Sequence, residues 1–418
     1  MSDQAVDVLV LGGGVIGVCS AYYLARAGRR VTLVDMGAVG SACSYGNAGL
    51  IDPSHCMPLA APGVISKALR WMFNADSPFY IRPRWDKDLF HWLWLFRQYC
   101  TLAHVDAAAP QLYRLGMASL DLYRELAGLP GMDFALTQKG FLLLYATLGG
   151  LTQAAREAKL LQRYGVKVQM LDRPQVRGML SCVSDQVCGG MFLPHDAHII
   201  PDRFVRGLAQ VLAAHMGVSV CPFTEVKALV PEAGRVRVVK TSMGDIKPNA
   251  VVLAGGSWSA ELLRPLGVRL PLQPAKGYSV SIARPAHLPD FPLLLTEAKV
   301  CVTPMADRLR FAGTLELTGF DFSIRERRVA ALLRAVKQYL VRVDTSERLE
   351  TWAGLRPCTP DGVPIIGRAP GFENLIVATG HAMIGMRTGT GTGKLVAQML
   401  TGEILFMDPA PFRLERFF

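Results

Sequence analysis

Gly12-Gly13-Gly14-Val15-Ile16-Gly17 has the spacing GxGxxG. Glycines at this spacing let a strand turn tightly into a helix and let the backbone approach a pyrophosphate. Gly12 permits the turn, Gly14 the approach, and Gly17 the close packing of helix on strand. Val15 and Ile16, the first helical residues, bring free N–H donors and the positive helix end to the phosphates. Asp35, followed by Met36, closes the next apolar run. A carboxylate there accepts hydrogen bonds from ribose hydroxyls and disfavours a 2′-phosphate. Together they predict a dinucleotide site, and the motif alone does not separate FAD from NAD. A second glycine run, Thr388 to Lys394, imitates a phosphate loop. That loop needs Ser or Thr after the lysine, where Leu395 stands, and a glycine where Thr388 stands. The reading fails.

These residues need elements to hold them. Val6 to Leu11 reads as a buried strand and Val15 to Ala27 as a helix, with Ile16, Cys19, Tyr22 and Tyr23 at helical spacing. Gly28 suits the left-handed stop. Val31 to Asp35 reads as a second buried strand, so a right-handed parallel βαβ unit follows. Helices are expected over 85–100, 111–127, 199–215 and 323–342, and a last one from Gly393 to Leu400. Strands are expected over 138–146, 166–170, Val218 to Pro222, Ala250 to Ala254 and Leu375 to Thr379. Residues 276–283 and 308–316 read as strands of a separate sheet. The fold class expected is α/β plus α+β: a Rossmann-type unit with a second domain on a mostly antiparallel sheet. The first domain is discontinuous, built from 1–60, 195–262 and 345–418; the second takes 61–194 and 263–344.

The chain of 418 residues is 50% apolar and 19% charged, enough for two sizeable cores and unlike a disordered or collagenous chain. No apolar run reaches the roughly 20 residues of a membrane-spanning helix. The run Val6 to Val18 is not expected to be a cleaved signal, because its leader carries Asp3 and no basic residue. Nine cysteines without a CxxC pair offer no metal or redox motif and suit a reducing compartment. The net charge of +11 is spread along the chain, so nucleic acid is not the expected partner; an anionic membrane surface or an acidic substrate fits as well. Trp85, Phe90, Trp92, Trp94, Phe96 and Tyr99 crowd one predicted helix beside Arg82, Arg84, Lys87 and Arg97. Such a stripe suits an interfacial helix, a core face or a subunit contact.

Five segments together resemble the glycine oxidase, D-amino-acid oxidase (DAO) and D-amino-acid dehydrogenase superfamily of flavoproteins, most of all bacterial D-amino-acid dehydrogenases of the small-subunit type. They are Leu9 to Gly17 with Asp35, Ser44 to Gly49, Leu253 to Ser259, Trp352 to Pro357 running on to Asp361 to Gly367, and Ala378 to His381. The resemblance implies FAD, held without a covalent bond although Cys358 follows the arginine motif. It implies cofactor contacts from Ser44, Asn47, Ala48, Gly49 and Leu50. Val226, Ala254, Gly255 and Trp258 would lie beside the adenosine. Gly354, Arg356, Gly380, His381, Met383, Gly385, Met386, Arg387 and Thr388 would surround the flavin. Arg356 would bind the substrate carboxylate through two parallel charge-assisted hydrogen bonds. Met383 stands where relatives of glycine oxidase carry a second arginine; Arg387 either replaces it or is structural. His381 either meets the flavin or is a satisfied core histidine. Tyr278 and His55 are further pocket candidates.

The implied activity is FAD-dependent oxidative deamination of D-amino acids to 2-oxo acids and ammonia, by hydride transfer from Cα to flavin N5. The implied acceptor is a quinone or electron carrier. The expected setting is cytoplasmic, with a peripheral contact on the inner face of the cytoplasmic membrane or with partner subunits. Two alternatives stand beside it: a glycine, sarcosine or D-hydroxyproline oxidase using oxygen, and a FAD-carrying subunit of a larger dehydrogenase complex. No metal is expected.

Overall fold

The computed structural model describes residues 6–72 and 77–418; the leader Met1 to Gln4 lies outside them. Strand β1 (Val6–Leu11) leads into helix α1 (Val15–Arg26) and returns as β2 (Val31–Val34). β1 and β2 pair in parallel, Leu9 opposite Thr32, and Pro248–Leu253 pairs in parallel on the other side of β1. Ser219–Cys221 extends the sheet beyond β2, and Leu375–Thr379 and Ile365–Arg368 complete six strands. Central strands such as β1 and β2 are buried on both faces, which explains their unbroken apolar runs.

A nine-stranded sheet forms the second layer system. Its pairings are mostly antiparallel; Leu293–Leu295 with Phe141–Tyr145 and Arg308–Leu317 with Phe79–Ile81 are parallel. Helix Glu326–Tyr339 packs Val329, Leu332, Leu333 and Val336 into the core beneath it. The strand Glu350–Cys358 pairs with Gln273–Ala283 in this sheet. The sequence reading counts residues from 345 onward with the dinucleotide unit, yet this strand carries Arg356 across to the second sheet.

Three elements differ from expectation. The helix expected over 111–127 runs Leu102–Ala127 and continues through Pro110. The strand expected over 166–170 is Gln169–Asp172. The last helix spans Gly385–Thr401, eight residues earlier than the glycine-rich sequence suggests. Gly and Thr are poor helix formers, and packing outweighs that preference here. A Cβ on Gly389 would lie 2.8 Å from Val15, one on Gly391 2.6 Å from Ser119, and one on Gly393 2.5 Å from the Cys19 carbonyl carbon. The glycines are the contact surface that lets this helix seat against α1 and Leu102–Ala127.

The aromatic stripe divides. Helix Lys87–Tyr99 starts at Asp86, whose carboxylate accepts the Leu89 N–H at 3.1 Å. Leu89, Trp92 and Leu95 are buried, and Trp92 donates to the Cys358 carbonyl at 2.9 Å. Trp85, Phe90 and Trp94 face outward.

Candidate active site

The β1–α1 turn is built for a close ligand. Gly12 has φ +107°, a region that favours glycine, and a Cβ there would sit 2.5 Å from the Ala254 carbonyl oxygen. At Gly17 a Cβ would come within 1.7 Å of the Gly12 carbonyl oxygen. Gly14 is different: only the Ser44 hydroxyl, at 3.4 Å, borders its open side. Ser44 accepts the Val15 N–H at 3.0 Å, satisfying one free donor of the helix start. Asp35 accepts from Gly13 N–H at 2.6 Å and Gly37 N–H at 2.8 Å. Burial pushes its carboxyl up, and those two donors pull it back. The Thr224 N–H meets the Asp35 carbonyl at 2.7 Å, which brings the strand beginning at Val226 alongside. Met36 is half exposed. A left-handed glycine turn, an open glycine face and a helix N-terminus fit a dinucleotide pyrophosphate.

The second half of the site lies between the loop Ser44 to Leu50 and one face of the large sheet. Arg310 donates to the Tyr45 and Asn47 carbonyls at 2.8 and 3.0 Å, and Asn47 Oδ1 accepts Gly49 N–H at 2.8 Å. Gly46 and Gly354 lie against the Trp352 indole; a Cβ on either would fall within about 2.0 Å of it. On the same face, Arg356 lies over Gly277, whose added Cβ would meet its guanidinium at 2.2 Å. Arg356 donates to the carbonyls of Thr314 at 2.5 Å and Gly313 at 3.4 Å. These bonds pin one side of a planar fork and leave further donors. Trp258 sets its ring near Phe320 and Phe322, while Ala254, at the start of the same turn, lies against Gly12.

The turn before the last helix holds Gly380 at φ +77° against Thr359. His381 is buried and its Nε2 meets the Thr392 hydroxyl at 3.0 Å, while Nδ1 has no partner. Burial pulls its pKa down to about 3, so the ring is neutral. Met383 is exposed, the Met386 carbonyl accepts the Tyr123 hydroxyl at 2.6 Å, and the Thr388 hydroxyl bonds Ile384. Arg387 is buried. Its Nε lies 3.3 Å from Asp52, and its Nη1 donates to the His55 carbonyl.

A model of the family described as FAD dependent oxidoreductase matches residues 7–399. The chain belongs to that family. FAD is therefore its cofactor. A D-amino acid dehydrogenase of Methylobacterium sp. (strain 4-46) is 37% identical, over 98% of this chain and 99% of that protein. Another, from Methylobacterium nodulans, is 37% identical over 95% of each. The crystal structure of glycine oxidase from Geobacillus kaustophilus is similar with a TM-score of 0.80 and 25% identity, covering 98% of both chains.

In this FAD-dependent oxidoreductase the sheet register sorts the pocket candidates. Arg356 pairs with Ala275 and Gly354 with Gly277, so alternate residues from these strands share Arg356's face. Tyr278 is out of phase. It points to the opposite face, buried in the core, with its hydroxyl on Glu316 at 3.2 Å. Lys276, Glu316 and Arg328 complete a buried ionic group there, with Arg328 Nε 2.6 Å from Glu316. Tyr278 is therefore a core residue and is withdrawn from the pocket. Its hydroxyl is pushed up, first by burial. Arg387 is held at Nε by Asp52 and at Nη1 by the His55 carbonyl, which gives it a structural role.

Sequence reasoning missed Asp52, Asp196 and Cys301. Asp196 is fully buried, accepts Ser54 N–H at 3.1 Å, and leaves Oδ2 without a partner. Burial, then the neighbouring Asp52, push its carboxyl well up. Cys301 lies within electrostatic reach of both Asp52 and Arg356, and burial pushes its thiol up to about 12. Nothing in the one-dimensional pattern links positions this far apart.

Proposed function

We propose that this enzyme oxidatively deaminates D-amino acids, with Arg356 anchoring the substrate carboxylate. The observation that carries the reading is the Arg356 fork, held flat over Gly277 by two backbone carbonyls on the face that also carries Trp352 and Gly354. The relatives named D-amino acid dehydrogenase support the substrate class. FAD, when bound, would supply the acceptor for the Cα hydrogen and its electron pair. Arg356 orients the substrate so that this bond faces the ring, and the loop Ser44 to Leu50 and Trp352 screen it from water. The imino acid then hydrolyses in water to a 2-oxo acid and ammonia. FAD is held without a covalent bond: the Cys358 thiol is buried and pushed up to about 12 by that burial. The reading keeps the discontinuous dinucleotide domain, with the strand Glu350–Cys358 lent to the substrate domain.

Anaerobic mixing with D- and L-amino acids, glycine, sarcosine and D-proline tests this. Bleaching of the flavin band by several D-amino acids and not by their L-forms is expected. No bleaching by any of them sinks the reading. The glycine oxidase likeness favours one second reading, an oxidase; peroxide formed with oxygen as the sole acceptor would mark it.

For the acceptor we propose a quinone reached at an anionic membrane face. Among the described residues no helix is long and apolar enough to cross a membrane. The support is a surface patch. Trp85 is 98% exposed, and Phe90, Trp94, Phe320, Phe322 and Ile324 are each about half exposed. Arg82, Lys87 and Arg97 are exposed on the same segment. The ion pair Arg264–Asp88, at 2.7 Å, ties this helix to the turn after Trp258, whose ring meets Phe320 and Phe322. Aromatic rings amid cations suit an anionic headgroup layer. The protein is expected to float with liposomes containing phosphatidylglycerol and not with purely zwitterionic ones. The triple change Trp85→Ser, Phe90→Ser, Trp94→Ser should release it. Equal flotation with and without those rings overturns the contact.

A further inference from the structure

We propose that His55 accepts the proton of the substrate ammonium, with Asp52 and Arg387 as positioning residues. The role rests on the amine-oxidising reading above and adds the group that prepares the amine. An ammonium nitrogen has no lone pair with which to form the imine. Some base must take its proton before the Cα–H bond breaks.

The loop after the short strand Leu50–Ile51 supplies one. Its His55 N–H meets the Asp52 carbonyl at 3.0 Å, closing a turn that brings the two side chains together. His55 Nδ1 lies 3.4 Å from Asp52 Oδ2. The imidazole is 36% exposed and the carboxylate 5%. A buried acid thus faces Nδ1 of a partly open ring and leaves Nε2 free, the arrangement that orients a histidine base.

Arg387 holds this pair from the first turn of the last helix. Its Nε sits 3.3 Å from Asp52 Oδ1, and it donates to the His55 carbonyl. Burial and Asp52 push the nearby Asp196 carboxyl up, and the ion-pair contact of Arg387 is with Asp52. The charged and titratable groups around the loop are Asp52, Cys56, Asp196, Arg387, Tyr113 and Glu157. Among the described residues Arg387 is the Arg or Lys within ion-pair distance of Asp52.

Asp52 ties this pair to the carboxylate anchor through Cys301. Cys301 feels both Asp52 and Arg356. It pairs with Ala312, next to Gly313 and Thr314, whose carbonyls pin Arg356. A small amino acid held by its carboxylate at Arg356 turns its amine toward a wall that contains Asp52 and His55. The N–H bond breaks with its electron pair left on nitrogen, and the proton passes to His55 Nε2. The imidazolium later returns the proton to solvent. The freed lone pair forms the C=N bond as the Cα hydrogen leaves with its electrons to the bound FAD.

The pH dependence of anaerobic flavin bleaching by D-alanine and D-proline tests this. Neutral His55 with substrate ammonium carries the same single proton as imidazolium with free amine. With His55 as acceptor the ammonium form is a substrate in its own right, so the wild-type second-order rate should hold a plateau below the ammonium pKa. In His55→Gln the free amine must come from solution. The rate should rise about tenfold per pH unit below the ammonium pKa and approach the wild type above it. Asp52→Asn should lose the plateau in part while Arg356 still binds the carboxylate. If His55→Gln keeps the wild-type plateau and is only slower by a pH-independent factor, His55 is structural and the proposal falls. The same holds if the wild type itself climbs tenfold per unit. If no amine bleaches the wild type, the amine-oxidising reading fails, and this role with it.

Discussion

Arg356→Met should keep its flavin colour and lose about 10²–10³-fold in kcat/KM toward the best amino-acid substrate. The side chain makes its contacts with protein through the Thr314 and Gly313 carbonyls, not through the cofactor turn, so FAD binding should survive. The remaining donors suit a carboxylate, and truncating one member of such a charge-assisted pair costs about 3–4 kcal/mol. Arg356→Lys should recover little, because a point charge cannot reproduce two parallel bonds. Gly277→Ala offers an independent check, since its methyl would fall 2.2 Å from a guanidinium nitrogen and displace the fork without touching its charge. Steady-state kinetics with flavin content measured in parallel decides it. A variant within threefold of wild type would show that the carboxylate binds elsewhere.

Gly17→Ala should give colourless protein with a sharply lowered melting temperature. The added methyl would lie 1.7 Å from the Gly12 carbonyl oxygen, a backbone atom with no room to move. Either α1 shifts away from β1 or the Gly12 turn opens. Both outcomes spoil the phosphate cradle, and the strain in the fold is worth about 3 kcal/mol or more. Lost FAD then removes its own stabilisation of the native state. Gly28→Ala is the control. Nothing lies within 4 Å of its Cβ, so its φ of +78° is the sole cost, about 1 kcal/mol, and colour should persist. Flavin absorbance of the purified proteins and thermal unfolding scans test both. A yellow Gly17→Ala protein of normal stability would contradict the close β1–α1 packing.

The parts legible in the sequence are those written within a few consecutive residues. The β1–α1–β2 unit follows from an apolar run, a glycine spacing and a second apolar run. Asp35 follows from ending that run, and Arg356 from its place in a five-segment resemblance. The last helix was legible only in its second half. Its propensity argues against Gly385 to Gly393, and helix formation there depends on two neighbours that approach closely because side chains are absent. The aromatic stripe was visible, but which rings face the core depends on what the helix packs against.

By itself the sequence determined the dinucleotide turn and the two kinds of sheet, because strand period, turn chemistry and glycine spacing are local properties. Tertiary structure decided which candidates share a pocket. A strand's side chains alternate, so the register of Gln273–Ala283 against Glu350–Cys358 sends Tyr278 to the core and keeps Arg356 on the open face. The group of Asp52, His55, Asp196 and Arg387 exists only after folding. Those residues come from a loop, the end of a distant strand pair and the last helix, and the upward push on the Asp196 carboxyl comes from burial and from Asp52, remote in sequence.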